Sequence, residues 1–318
     1  MTCIQPKPAH SYWITKINEK TGEIYATKAI KFIPLSKWTT NMWQNCEMIP
    51  CGKCKGCRID QANDFATRAA LESKLYKQNC FLTITYDNKH LPKNRSLCKK
   101  DLQDFWKKLR KKGYKIRYMA CGEYGPRTLR PHYHAIVFNY WPTDAKLHSR
   151  NILKEPLFTS KELNKIWGKG YIIVGKATYE TAAYVARYTF KKSFGITKLT
   201  WKNAKKEPEF TTTSRKPGIG AYILKTPIWQ TIKKTGNIII PSKTGPRIKR
   251  IPTFLKNKWK DFDNRKEYFK KSEELKKQNL EKTKQTLSNT SLNYWEYSKL
   301  LTQLQDEKLK RLDKRGDK

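Results

Sequence analysis

Acidic residues are scarce in this chain: 27 Asp and Glu stand against 67 Lys and Arg, a formal net charge of +40 over 318 residues. Self-repulsion of that size is tolerated when a polyanion neutralises it. Nucleic acid is the expected partner, with affinity drawn from counterion release; a ribosome-like or membrane-surface basic protein is the alternative. No apolar run reaches the roughly 20 residues that span a bilayer, so no membrane partner is expected. The opening Met1-Thr2-Cys3-Ile4-Gln5-Pro6-Lys7 has no apolar signal core, which points to a soluble, reducing compartment. There, clustered cysteines indicate metal before disulfides. No Gly-x-x-x-x-Gly-Lys-Ser/Thr loop occurs, so no phosphate-loop motor is encoded. Histidine is rare too, with five residues.

Two of those five fall in Pro131-His132-Tyr133-His134-Ala135-Ile136-Val137-Phe138. Aromatic and β-branched residues bounded by Pro131 and Pro142 read as a strand. Side chains alternate along a strand, so His132 and His134 share one face while Tyr133, Ala135 and Val137 pack on the other. Residues 116–123 read as the preceding strand, with a turn at Gly125-Pro126. Antiparallel pairing then brings Glu123 beside His132. A carboxylate and two imidazoles make a three-ligand site with open positions, suited to Mg²⁺ or Mn²⁺ on a phosphate oxygen, although zinc also accepts two His. The bland alternatives are two packing histidines and an ion pair from Glu123 to Arg127 or Arg130. A histidine-triad phosphohydrolase is disfavoured, because Ile136 stands where a third alternating His is wanted.

Other elements follow from the same pattern reading. Residues 60–77 read as a helix, with Phe65, Ala69 and Leu75 on one side and Arg68, Glu72 and Lys74 in solvent. Residues 81–87 and 171–174 read as strands. Residues 99–112 and 161–167 read as helices, the first with an apolar stripe of Leu102, Phe105, Trp106 and Leu109. The Ala-rich stretch 178–192 reads as a helix in which Tyr184 and Tyr188 lie one turn apart on a face that Lys191 shares. Packing tyrosines and a solvated lysine are the alternative there. This order suits an α+β fold: an antiparallel sheet with helices packed on one face.

Cys51, Cys54 and Cys57 recur every three residues with Gly52 and Gly56 between them, a spacing that wraps one ion. Structural zinc needs a fourth ligand, and Cys3 and Cys46 are both candidates. A ferredoxin-type cluster wants a cysteine where Gln61 stands. Four regions result: a Cys-rich segment at 1–59, a core at 60–195, a basic linker and hairpin at 196–253, and a charged helical region at 254–318. Ser214-Arg215-Lys216-Pro217-Gly218-Ile219-Gly220 reads as an anion-contacting turn.

The ordered set of motifs resembles a known family. Cys-Gly-Lys-Cys at 51–54, Gly-Glu-Tyr-Gly at 122–125, Arg-Pro-His-Tyr-His at 130–134, Tyr-Val-Ala-Arg-Tyr at 184–188 and the 214–220 turn are similar to the HUH endonuclease superfamily. Within it, they resemble the replication initiators of Microviridae phages of the gokushovirus type. The resemblance implies an RRM-like nuclease core and a rolling-circle initiator that nicks single-stranded origin DNA. Tyr184 or Tyr188 would be the nucleophile, assisted by Lys191, with Mg²⁺ or Mn²⁺ on His132, His134 and Glu123. Arg130, Arg187, Lys192, Arg215 and Lys216 would contact DNA. It further implies a 5′-phosphotyrosine, a free 3′-OH for a host polymerase, a helicase supplied by the host, and action in the cytoplasm of the host bacterium. The competing expectation is a non-catalytic, zinc-containing nucleic-acid-binding protein.

Overall fold

The structure is a computed structural model. It describes the chain apart from residues 1, 2, 5, 18, 20, 21, 35, 36, 38–45, 126, 127, 191–202, 242–244, 263, 264, 317 and 318. The side chains of 188–190, 260–262, 265, 266, 295 and 308–316 are likewise outside the description. The chain divides into two compact units, one of residues 1–60 with 264–318 and one of residues 61–263.

The larger unit is built on a seven-stranded antiparallel sheet. Its strands are β4 (Asn79–Tyr86), β5 (Arg117–Tyr124), β6 (Pro131–Phe138), β7 (Lys146–Arg150), β8 (Pro156–Thr159), β9 (Gly170–Lys176) and β10 (Phe210–Thr213), in the order β10-β5-β6-β4-β9-β8-β7. Strict alternation sets the two faces. Cys80, Leu82, Ile84 and Tyr86 of β4 and Tyr133, Ala135 and Val137 of β6 point into one apolar core. Helices α2 (Lys99–Lys111) and α3 (Lys161–Trp167) close that core with Leu102, Phe105, Trp106, Leu109, Ile166 and Trp167. The α2 stripe is the one the sequence predicts. Ser160 caps α3 by accepting from the Leu163 N–H at 3.0 Å.

The opposite face carries Glu123, His132 and His134, and α4 (Tyr179–Phe190) packs there against β5 and β6. The outcome is the expected α+β architecture with a large antiparallel sheet.

Three expectations change. Phe210–Thr213, read as part of a polar linker, is the edge strand β10, paired with β5 from Phe210↔Gly122 to Thr213↔Met119. Arg68 and Glu72, read as solvated on helix α1 (Lys55–Ser73), are buried, Glu72 completely. A buried carboxylate survives only when its oxygens are occupied. Here Oε1 takes the Arg117 Nε–H and Oε2 takes the Gly220 N–H at 2.6 Å. Arg68 donates to the Ile219 carbonyl at 2.9 Å and stacks on Phe254, 3.9 Å from the ring centre. The backbone of 217–220 therefore serves as a clamp on two buried charges. Gly220 sits at φ +82°, and a β-carbon there would lie 3.2 Å from Arg68 Cβ. Finally, the polar strands β7 and β8 were not foreseen.

Helix α5 (Pro227–Thr235), the hairpin β11–β12 (Asn237–Ile240, Arg247–Arg250) and helix α6 (Thr253–Phe262) complete this unit. The hairpin lies where the sequence places it.

The smaller unit holds a three-stranded antiparallel sheet of β1 (Lys7–Ile17), β2 (Ile24–Phe32) and β3 (Glu47–Ile49), in the order β2-β1-β3. Its long helices are α7 (Arg265–Ser288) and α8 (Tyr294–Gly316), the expected helical C-terminal region. Phe269 of α7 meets Trp13 edge-on at 4.8 Å, and Lys28 and Glu273 form an ion pair. No helix among the described residues is long and apolar enough to cross a membrane.

Candidate metal centre and active site

Register decides the geometry. β5 and β6 pair with Glu123 directly opposite His132 and Cys121 opposite His134, as the hairpin reading predicts. The three side chains converge: His132 Nε2 lies 2.7 Å and His134 Nε2 2.9 Å from Glu123 Oε1. Their ligating atoms all lie within 4.8 Å of one another. Tyr184 reaches the same point from α4, its hydroxyl donating to Glu123 Oε1 at 3.1 Å and lying 3.5 Å from His134 Nε2. Glu123 is thus the centre of the cluster and not a partner of Arg130, whose guanidinium donates instead to the Tyr86 carbonyl at 2.9 Å.

Each imidazole is oriented by the nitrogen that faces away from Glu123. His132 Nδ1 lies 3.1 Å from the Arg130 carbonyl, which only accepts, so Nδ1 carries the proton and Nε2 is left for a ligand. His134 Nδ1 lies 3.1 Å from Thr83 Oγ1, and Phe81 stacks on the His134 ring at 5.5 Å. Thr83 and Phe81 were missed from the sequence. Their signal was the alternation of β4, which puts both on the face opposite Leu82 and Ile84.

The electrostatics fit a cation. Burial alone would raise the Glu123 carboxyl, but the hydrogen bonds to His132 and His134 outweigh it and bring it down to about 2. Burial would lower His132, yet Glu123 and the Arg130 carbonyl raise it above its ordinary value. At His134 burial prevails and the value falls. Glu123 Oε2 is buried with no hydrogen-bond partner among the described residues. An ionised, buried carboxylate with one oxygen unanswered, beside two imidazoles, is a donor set that a divalent cation would satisfy.

The remaining predicted residues scatter. Arg187 is exposed, its guanidinium 5.8 Å from the Tyr184 ring centre. Tyr188 lies on α4 one turn after Tyr184, and its side chain is outside the described residues, as are Lys191 and Lys192. Arg215 and Lys216 are away from the triad. They line a cleft with Arg110, Lys115 and Arg117 at the start of β5, where Glu123 is near the end. Six residues of strand separate the two points, about 20 Å.

The sequence likeness concentrates on these elements. The model of the replication-associated protein ORF2 family matches residues 79–193, from the start of β4 to just past α4. Replication-associated protein VP4 of Bdellovibrio phage phiMH2K is 35% identical over 230 residues, covering 67% of this chain and 70% of that protein. Replication-associated protein ORF2 of Spiroplasma virus 4 is 31% identical over 277 residues, 82% of each chain. This chain belongs to the phage replication-associated protein family. A third relative, replication-associated protein ORF4 of Chlamydia phage 1, is 35% identical over 153 residues, 45% of this chain and 38% of that one. No solved structure matches. In this replication-associated protein, the residues that the family model covers are those that assemble Glu123, His132, His134 and Tyr184 on one face of one sheet.

Proposed function

We propose that this protein initiates rolling-circle replication by nicking single-stranded origin DNA through a tyrosine of α4. One observation carries the reading: the Tyr184 hydroxyl lies 3.1 Å from the carboxylate that also joins His132 and His134. A phenol, two imidazoles and a carboxylate thus share one point on an otherwise basic molecule.

His132, His134 and Glu123 would hold Mg²⁺ or Mn²⁺, which when bound polarises a phosphate and offsets charge on its oxygens. The protein's own residues do the rest. Glu123 accepts the hydrogen bond of the Tyr184 hydroxyl and orients the phenol oxygen. A free phenol has a pKa of about 10, so a base within hydrogen-bond reach is needed for attack at neutral pH. The phenol oxygen bonds to phosphorus, the bond from phosphorus to the 3′ oxygen breaks, and the phenolic proton ends on solvent or on the released 3′-OH. The products are a 5′-phosphotyrosine and a 3′ end that a host polymerase extends. The aryl phosphodiester preserves the energy of the broken bond, so a later 3′-OH reverses the step without ATP. Tyr188, one turn along α4, would be the second nucleophile when the regenerated origin is cut, and Lys191 would offset charge nearby. Arg187 at the Tyr184 ring, Arg130 and Lys192, and the cations lining the cleft around Arg215 and Lys216, would hold the strand by its phosphates. Without a phosphate-loop motif, unwinding falls to a helicase of the host, in whose cytoplasm the protein would act.

Labelled single-stranded genome incubated with the protein and Mn²⁺ should yield a labelled protein band that resists denaturant. Tyr184→Phe with Tyr188→Phe should abolish it, as should His132→Ala with His134→Ala. Tight DNA binding with no covalent band in the unaltered protein would leave a non-catalytic nucleic-acid-binding protein.

A further inference from the structure

The smaller unit has almost no core. Among its described residues, the buried ones of hydrophobic type are Cys3, Ala9 and Cys57; no Val, Ile, Leu, Met, Phe, Tyr or Trp of residues 1–60 or 264–318 is buried. Several large apolar side chains of its sheet, including Trp13, Ile24, Ile30 and Phe32, are more than half exposed. Apolar burial of that extent does not offset the conformational entropy of ordering three strands and a loop. Small units with this shortfall are held by disulfides or by metal.

The eight cysteines are all free of disulfides, and four of them gather at one point. Cys3, Cys51, Cys54 and Cys57 place their sulfurs within 4.8 Å of one another. Cys54 Sγ lies 3.8 Å from Cys3 Sγ, and Cys51 Sγ lies 4.0 Å from Cys57 Sγ. A zinc ion with four sulfurs at about 2.3 Å in a tetrahedron sets them about 3.8 Å apart. The spacing therefore matches ligands around one ion and is nearly twice the roughly 2.05 Å of a disulfide.

The backbone is arranged for thiolates. Cys51 N–H donates to Cys3 Sγ at 3.3 Å, Cys54 N–H to Cys51 Sγ at 3.3 Å, and Cys57 N–H to Cys54 Sγ at 3.5 Å. Such donors stabilise anionic sulfur and fix its direction. Gly52, at φ +74°, provides the left-handed turn that curls the loop. Cys57 lies in the first turn of α1, where the helix dipole favours negative charge.

We propose that Cys3, Cys51, Cys54 and Cys57 bind one zinc ion that replaces a hydrophobic core in this unit, tying the N-terminal segment and the loop after β3 to the start of α1. Cys46, the other candidate for the fourth ligand, is excluded: its sulfur sits 3.4 Å from His10 Nδ1 and outside the cluster. Four thiolates with no open position make a closed, structural site and not a catalytic one. The inference is independent of the nicking chemistry.

Metal analysis of the full chain, purified under reducing conditions without added metal, should find one zinc per chain. The zinc should remain in the His132→Ala, His134→Ala variant, which separates it from the Glu123 site. Cys3→Ser should lose it and Cys46→Ser should keep it. Because a ligand variant can fail to fold, the unaltered chain provides a second reading. A mercurial that blocks thiols should release zinc to a chromogenic chelator. Hydrogen exchange in peptides spanning residues 3–57 should then accelerate while β4 to β6 stay protected. Absence of zinc, iron in its place, cysteines recovered as disulfides, or full zinc retention in Cys3→Ser would overturn the proposal. So would release of zinc with no change in exchange.

Discussion

Replacing Thr83 with valine isolates one hydrogen bond of the proposed metal centre. The bond joins Thr83 Oγ1 and His134 Nδ1 at 3.1 Å. Valine keeps the branched shape that β4 favours and removes only the hydroxyl. Two effects follow. The His134 nitrogen, on a buried ring, loses its partner, which costs the fold on the order of 1 kcal/mol. The ring is also no longer held with Nε2 toward Glu123. Removing such an outer partner typically lowers metal affinity by about 10–100-fold, or roughly 1.4–2.8 kcal/mol. The Phe81 ring stacked at 5.5 Å still limits rotation of the imidazole, which places the expected loss toward the lower end of that range. Titration with Mn²⁺, followed by calorimetry or by the electron spin signal of the free ion, measures the affinity. Urea unfolding in a chelator measures the stability separately. An Mn²⁺ affinity within about twofold of the unaltered protein would refute the idea that Thr83 positions His134. So would an affinity loss matched by an equal loss of metal-free stability.

Other consequences are as direct. Glu72→Ala leaves Arg117 buried without its carboxylate and frees the Gly220 N–H, so unfolding free energy should fall by about 3–5 kcal/mol, while Mn²⁺ affinity of the refolded protein is unchanged. Gly220→Ala forces a β-carbon at φ +82° against Arg68 and should cost about 1–3 kcal/mol in the same measurement. Metal-free protein gains from charged His132 beside Glu123; because the His132 value is raised, that gain is complete below the ordinary pH 6.5 and fades as pH climbs past the raised value. Bound metal needs neutral imidazoles, so the rise in melting temperature caused by Mn²⁺ should grow between about pH 5.5 and pH 8. Equal shifts at both ends would contradict this. Arg215→Ala with Lys216→Ala should weaken single-strand binding and flatten its salt dependence by about 0.7 for each phosphate the two cations neutralise, with no effect on Mn²⁺ affinity.

Much of this was legible from local pattern. Alternation along Pro131–Phe138 put both histidines on one face, and the short connection to β5 set Glu123 opposite His132, as the register has it. The stripe of Leu102, Phe105, Trp106 and Leu109 is the buried side of α2. What escaped depends on distant pairing. Arg68 and Glu72 look solvated on a helix, because their partners lie far along the chain, at Arg117 and in the backbone of 219–220. β10 carries three threonines, good strand formers, but only its place on the edge of β5 distinguishes it from a polar linker. The choice of Cys3 over Cys46 was equally a matter of three-dimensional proximity, since both lie upstream of the Cys51–Cys57 loop.

The central claim is that a phenol of α4 attacks a phosphate held at the Glu123–His132–His134 cluster. Digesting the covalent product of origin DNA and unaltered protein, formed in Mn²⁺, and locating the attached nucleotide by tandem mass spectrometry tests it most directly. The account predicts a nucleotide phosphate on Tyr184 or Tyr188. A nucleotide on a tyrosine outside α4, or no modified peptide at all, would contradict it.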